Sequence, residues 1–106
     1  MAENKEYVII TGASSGIGLE FAKIFAEKGY NLILISLNIN DLQEVHNSIL
    51  KSHQCDIQIY AYDLIEKENI KSIFVSLKSK GIMAKTLINN AGFANYGEFI
   101  SVDIGK

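Results

Sequence analysis

A glycine-spaced turn, Thr11-Gly12-Ala13-Ser14-Ser15-Gly16-Ile17-Gly18, joins a short apolar run, Val8-Ile9-Ile10, to a long apolar-rich stretch that ends at Gly29. Apolar run, glycine turn and amphipathic stretch read as strand, turn and helix. That order constrains the chain more than any other feature. A helix start carries unpaired N–H groups and the positive end of the macrodipole. Glycines there let a bulky pyrophosphate reach the backbone with no Cβ in its way. The segment therefore reads as a dinucleotide cradle. A Walker A loop does not fit, because no Gly-Lys-Ser/Thr follows.

The same alternation continues along the chain. Tyr7 to Ile10 is apolar without alternation, as expected of a strand covered on both faces. The helix from about Gly16 to Lys28 carries Ile17, Phe21, Ile24 and Phe25 at helical spacing, and Leu19, Ala22 and Ala26 widen the apolar arc, so deep burial is expected. Leu32 to Ile35 is a second buried strand. Asn40 is placed to cap the next helix, with Gln43 at capping-box spacing. Leu42, Val45, Ile49 and Leu50 form its apolar stripe. Ile57 to Tyr62 alternates, which suits an edge strand with one poorly covered face. Ile70, Ile73, Phe74 and Leu77 define a third helix, ended by Gly81, and Thr86 to Asn89 a fourth strand. The expected fold class is α/β: a Rossmann-like three-layer α/β/α arrangement with a parallel sheet in the order 3-2-1-4, truncated after strand 4. Two helices would cover one face and the third the other. The switch point then lies between strands 1 and 4, which end in Gly12 and Gly92.

Composition narrows the partners. With 106 residues and no proline, a single domain over 1–106 is expected, with no Pro-rich linker. The net charge is −2 and the lysines are scattered among acids, so no basic face for nucleic acid is present. No segment approaches the ~20 apolar residues of a membrane span. The first residues, Met1-Ala2-Glu3-Asn4-Lys5-Glu6, form no apolar signal region. Cys55 is the only cysteine, and a reducing cytoplasmic location is the expectation. His53 and Cys55 read as surface loop residues, since two potential ligands do not make a metal site. His46 reads as a helix-surface residue.

Three motifs together resemble the short-chain dehydrogenases/reductases: the Thr11–Gly18 turn, Asp63-Leu64 after the third strand, and Asn89-Asn90-Ala91-Gly92 after the fourth. The resemblance covers essentially the whole chain but only the N-terminal, cofactor-binding portion of the family's domain. It implies an NAD or NADP cofactor and, in the full-length parent, hydride transfer on a carbonyl or alcohol. Gly12, Gly16 and Gly18 would shape the turn, with the Ile17 N–H beside the phosphates. Ser14 and Ser15 would touch the adenosine ribose or its 2′ substituent. The Asp63 carboxylate would accept from the adenine amino group, with the Leu64 backbone beside it. Asn90, Ala91 and Gly92 would line the cleft floor. Two structural roles stand beside these: Asp63 as a cap for the third helix, and Asn90 as a partner for backbone groups across the sheet.

The chain departs from the family pattern in two places. An acid about 20 residues past the glycines binds the ribose hydroxyls, and in the family an Arg one residue on selects NADP. Here stand Ser36, Leu37 and Asn38, with Leu37 at the Arg position, so the cofactor choice stays open. Asp41 is too late and favours its helix N-terminus. The family's catalytic Tyr precedes a Lys by four residues, with a Ser upstream. The residues four after Tyr7, Tyr30, Tyr60, Tyr62 and Tyr96 are Thr11, Leu34, Leu64, Glu66 and Ile100, so no catalytic residue is assigned. A phenol near its ordinary pKa of ~10 is a poor proton donor at neutral pH without a neighbouring cation. An uncovered strand 4 edge implies self-association into a homo-oligomer. The competing class is a non-catalytic α/β module that binds adenine nucleotides or a protein partner.

Overall fold

The computed structural model describes residues 6–14 and 16–90. Seven elements alternate in chain order: β1 (Tyr7–Thr11), α1 (Gly16–Glu27), β2 (Asn31–Ser36), α2 (Ile39–Leu50), β3 (Ile57–Ala61), α3 (Lys67–Ser79) and β4 (Ala84–Ile88). The strands form one sheet in the order β3-β2-β1-β4, and every pairing is parallel. Each parallel connection must cross over a face, and here each crossover is a helix. The expected α/β/α fold class and strand order are therefore what the chain adopts.

The continuous apolar runs split by strand alternation into two cores. Val8, Ile10, Leu32 and Leu34 face α1 and α2, where they meet Ala22, Ala26, Leu42, Val45 and Ile49. Ile9, Ile33 and Ile35 face α3, where they meet Ile73, Phe74 and Leu77. Leu32, Ile33 and Leu34 are wholly buried, and each such side chain contributes roughly 1.5–3 kcal/mol of burial. The central strands are thus fixed by both faces, and their carboxyl ends become the rim on which a site can stand.

Four expectations are corrected. First, α1 does not bury its large apolar residues. Its buried positions are Gly18, Ala22 and Ala26, while Ile17 is 66% and Ile24 43% exposed. Phe21 and Phe25 are only partly buried, and Phe25 meets Tyr30 edge-on at 5.1 Å. The reason is proximity: a stripe of small residues at i, i+4, i+8 lets the helix lie closer to β1 than a stripe of Ile and Phe would allow. Second, the cap of α2 is Asn38, not Asn40. Asn38 has extended backbone, and its Oδ1 accepts from the N–H groups of Asn40 (2.8 Å) and Asp41 (3.1 Å). The helix begins two residues earlier than the Asn40–Gln43 spacing suggests, which puts Asp41 in its first turn.

Third, β3 is an edge strand, but neither face is bare. Tyr60 is buried under α3, and its hydroxyl meets Ser76 Oγ at 2.7 Å. Lys80 Nζ donates to Gln58 Oε1 at 2.7 Å. Polar atoms placed at the tips of inward-facing side chains gave the strand its alternating look. β4 also starts two residues earlier than expected, at Ala84. Among the described residues no helix is long and apolar enough to cross a membrane.

Candidate functional site

The site is assembled where β1 and β4 end. After Thr11 the chain turns at Gly12, whose φ of +61° lies in the left-handed region. Ala13 then sinks to complete burial, and its N–H donates to Ile35 O on β2 at 3.3 Å. This pulls the turn across the end of β2, where the Ser14 and Ser36 hydroxyls lie 2.8 Å apart. Gly16 opens α1 with a φ of +60°, and a Cβ built on it meets nothing within 4 Å.

Gly18, one turn into the contact, is different. A Cβ there would lie 2.0 Å from Gly12 O. The Gly12 carbonyl is therefore seated directly on the Gly18 Cα. Asn90 also holds this carbonyl, with Nδ2 donating to Gly12 O at 3.2 Å. The Asn90 N–H donates to Thr11 Oγ1 at 2.9 Å, and the Thr11 hydroxyl donates to Ile88 O at 3.4 Å. Helix α1, the turn and the end of β4 are thus locked around one peptide group. With that carbonyl held inward, the helix start faces open space: Ile17 is 66% exposed, and N–H groups of a first helical turn have no partner within the helix. An open, anion-seeking helix start beside a locked turn is what a linked pair of phosphates requires.

The remaining candidates fall around this rim. Leu37 is 70% exposed just beyond β2. Asp63 does not cap α3, whose cap position is Glu66 with no side-chain bond. Its Oδ1 instead accepts from Ile65 N–H at 3.0 Å, a local turn that fixes the carboxylate. The Asp63 carbonyl accepts from Asn69 Nδ2 at 2.9 Å. Leu64 buries its side chain against the α3 core, which leaves its backbone at the rim. Asn90 performs the structural role weighed for it, on the Gly12 carbonyl. Ser15, Ala91 and Gly92 lie outside the described residues.

The sequence reading missed Ser36 as a partner of the turn. Its signal was present as a small hydroxyl at the position where an acid is usual, but a lone Ser names no partner. Tyr7 stands at the opposite end of the sheet, where its hydroxyl donates to Asp56 Oδ2. Burial, that hydrogen bond and the Asp56 charge push the Tyr7 phenol well above its ordinary value. It is held protonated at neutral pH and far from the rim. His53 and Cys55 are each partly buried in the segment before β3. Among the described residues no group of three or more His, Cys, Asp or Glu could hold a metal ion.

A parallel sheet in this order, with a glycine turn locked at its switch point, defines a Rossmann-type dinucleotide fold. Comparison with known proteins agrees. The short chain dehydrogenase family matches residues 6–105. A very-long-chain 3-oxoacyl-CoA reductase of Kluyveromyces lactis is 37% identical over 86 residues, covering 81% of this chain and 25% of that protein. An NAD-dependent glycerol dehydrogenase of Listeria innocua is 34% identical over 86 residues, covering 81% of this chain and 32% of that protein. The crystal structure of L-sorbose reductase from Gluconobacter frateurii, complexed with NADPH and L-sorbose, superposes with a TM-score of 0.79 and 31% identity, over 86% of this chain and 35% of that one. The chain belongs to the short chain dehydrogenase family. It spans only about a quarter to a third of the length of these relatives.

Proposed function

We propose that residues 1–106 are one dinucleotide-binding unit, the NAD(P)-binding portion of an oxidoreductase that moves hydride between a nicotinamide and a carbonyl or alcohol. The observation that carries this reading is the Gly12 carbonyl, seated on the Gly18 Cα and held by the Asn90 amide while Gly16 faces open space. Open space in front of Gly16, beside the unpaired N–H groups of a helix start, leaves room for a pyrophosphate. Relatives that act with NAD and with NADPH support the cofactor class.

The residues divide the work as follows. The backbone at Gly16, Ile17 and Gly18 takes the phosphates, and Gly12 shapes the approach. Ser14 and Ser15 stand toward the adenosine ribose. Asp63 accepts from the adenine amino group while its Oδ1 stays anchored on Ile65, and the Leu64 backbone lies alongside. Asn90 is assigned to the floor, and Ala91 and Gly92 are assigned with it on the family motif alone. The nicotinamide supplies the hydride chemistry. No tyrosine of the chain is followed four residues later by a lysine, so no proton-transfer role is assigned to these residues. Equilibrium titration with NAD, NADP and AMP tests the reading: saturable binding of at least one is expected, and indifference to all three rejects it.

We also propose a cytoplasmic setting, for which the lone Cys55 thiol is the support; recovery of the protein in a membrane fraction would count against it. The β4 edge, paired only with β1 among the described residues, supports self-association into a homo-oligomer. Light scattering should then show a concentration-dependent rise in mass, and a stable monomer at high concentration would exclude it.

A further inference from the structure

Among the described residues the sheet ends in two edge strands, β3 and β4. Leu32 N–H donates to Asp56 O and Tyr62 N–H to Ser36 O, both at 2.9 Å. Alternate residues of a strand turn their backbone groups to the same side, so Asp56, Gln58, Tyr60 and Tyr62 face β2. Ile57, Ile59 and Ala61 therefore direct their N–H and C=O groups outward. The strand itself has none of the usual defences of an edge. Its five residues, Ile57 to Ala61, include no charge, proline or glycine, and its register on β2 runs without a shift.

The defence comes from α3. Lys80, at the end of that helix, reaches over to the edge. Its Nζ donates to Gln58 Oε1 at 2.7 Å, lies 3.5 Å from Tyr60 Oη and stands 5.5 Å from the Tyr60 ring centroid. Both anchors are themselves held. Gln58 Nε2 donates to Asp56 Oδ2 at 2.9 Å, and the Tyr60 hydroxyl meets Ser76 Oγ at 2.7 Å. The Tyr7 hydroxyl holds Asp56 from β1. The ammonium is thus stationed on the α3 side of the edge. A strand added to β3 would lie about 4.8 Å away, with its side chains on this side against that ammonium. The charge would lose water and need an acid in return. Neither edge strand of a second copy has one. β3 would bring another Lys80, and β4 has Lys85 as its one charged residue. Like charges set across strands destabilise the pair.

We propose that Lys80 closes the β3 edge to a second copy of this chain. Together with the self-association read above for β4, on which this part rests, the guard ends assembly at a dimer. Two copies of β4 escape the clash of like charges: antiparallel pairing about Thr86 sets each Lys85 opposite Leu87, at opposite ends of the pair. That contact is two-fold and closed. Joining β3 to β4 is head-to-tail, and such a contact between sheet edges extends without closing. Lys80 removes that second mode.

The test is sedimentation over a range of concentrations, with amide hydrogen exchange read by NMR, for the wild-type chain, Lys80→Met and Lys80→Arg. Lys80 is exposed, so folding is not at stake at this position. The wild-type mass should level off at twice that of the chain, with the Ile59 and Ala61 amides exchanging within about tenfold of an unstructured peptide. Lys80→Met keeps the stem and removes the charge. It should grow past the dimer, and those two amides should slow by about 100-fold or more as concentration rises. Lys80→Arg keeps the charge and should match the wild type. Wild-type growth past the dimer overturns the proposal. So does a Lys80→Met chain whose Ile59 and Ala61 amides stay open at the highest concentration. A monomeric wild type removes the β4 reading, and the guard is then decided by Lys80→Met alone: association with protection at Ile59 upholds it, and the absence of both overturns it.

Discussion

Gly18→Ala should destabilise the chain by about 1–3 kcal/mol net and abolish measurable nucleotide binding. Within a helix, Gly to Ala ordinarily gains about 1 kcal/mol. Here the sign reverses. The new methyl would lie 2.0 Å from Gly12 O and 2.8 Å from both Gly12 C and Asn90 Nδ2. Two of those three atoms are backbone, so the turn or the helix must move as a unit. Forced methyl groups in packed sites cost about 1–3 kcal/mol. Displacing Gly12 O also breaks the Asn90 bond, worth about 1 kcal/mol net. The sum exceeds the propensity gain. Urea denaturation of the variant should show a lower midpoint, and titration with 5′-ADP no binding. An equally stable variant that still binds would mean that the close approach of α1 to the turn is not as described.

Gly16→Val should act on binding far more than on stability. A Cβ at this position meets nothing within 4 Å, so no part of the fold resists it. The cost to folding is conformational. Gly16 has a φ of +60°, and an L residue held there pays about 1–2 kcal/mol, with a β-branched side chain at the upper end. The branched side chain then stands where the phosphates approach. Nucleotide affinity should fall by at least about 100-fold, equivalent to about 2.7 kcal/mol. Gly16→Ala, with less backbone strain and less bulk, should fall between Val and wild type. Unaltered affinity in Gly16→Val would remove the helix start from the binding site. The two glycine variants are thus distinguishable: the one at position 18 fails by unfolding the clamp, the one at position 16 by blocking its open side.

Most of the fold was legible because its signals are local. Val8-Ile9-Ile10 and Leu32–Ile35 are apolar on consecutive residues, which places them between two covered faces. Ile70, Ile73, Phe74 and Leu77 repeat with the helical period. The glycines of the turn mark where a backbone must bend. Right-handed crossovers then leave one economical strand order, and the sheet has it. The buried face of α1 was not legible. Composition favours Ile17, Ile24 and the phenylalanines for the core, whereas the close contact of Gly18 with Gly12 selects the small residues. The spacing to Gln43 singled out Asn40 as the cap, whereas the point where β2 releases the chain gives that place to Asn38.

The candidate site divides in the same way. By itself the sequence determined that a strand, a glycine turn and a helix follow one another, and that Asp63 and Asn90 come just after later strands, because these are relations between near neighbours in the chain. Only the tertiary structure decided that Ser14 meets Ser36 across 22 positions, that Tyr7 engages Asp56 across 49, and that Asn90 holds the Gly12 carbonyl across 78. A hydrogen bond depends on separations of about 3 Å. The periodicity of side chains sets which face a residue takes, and leaves such separations to the packing of one strand end against another.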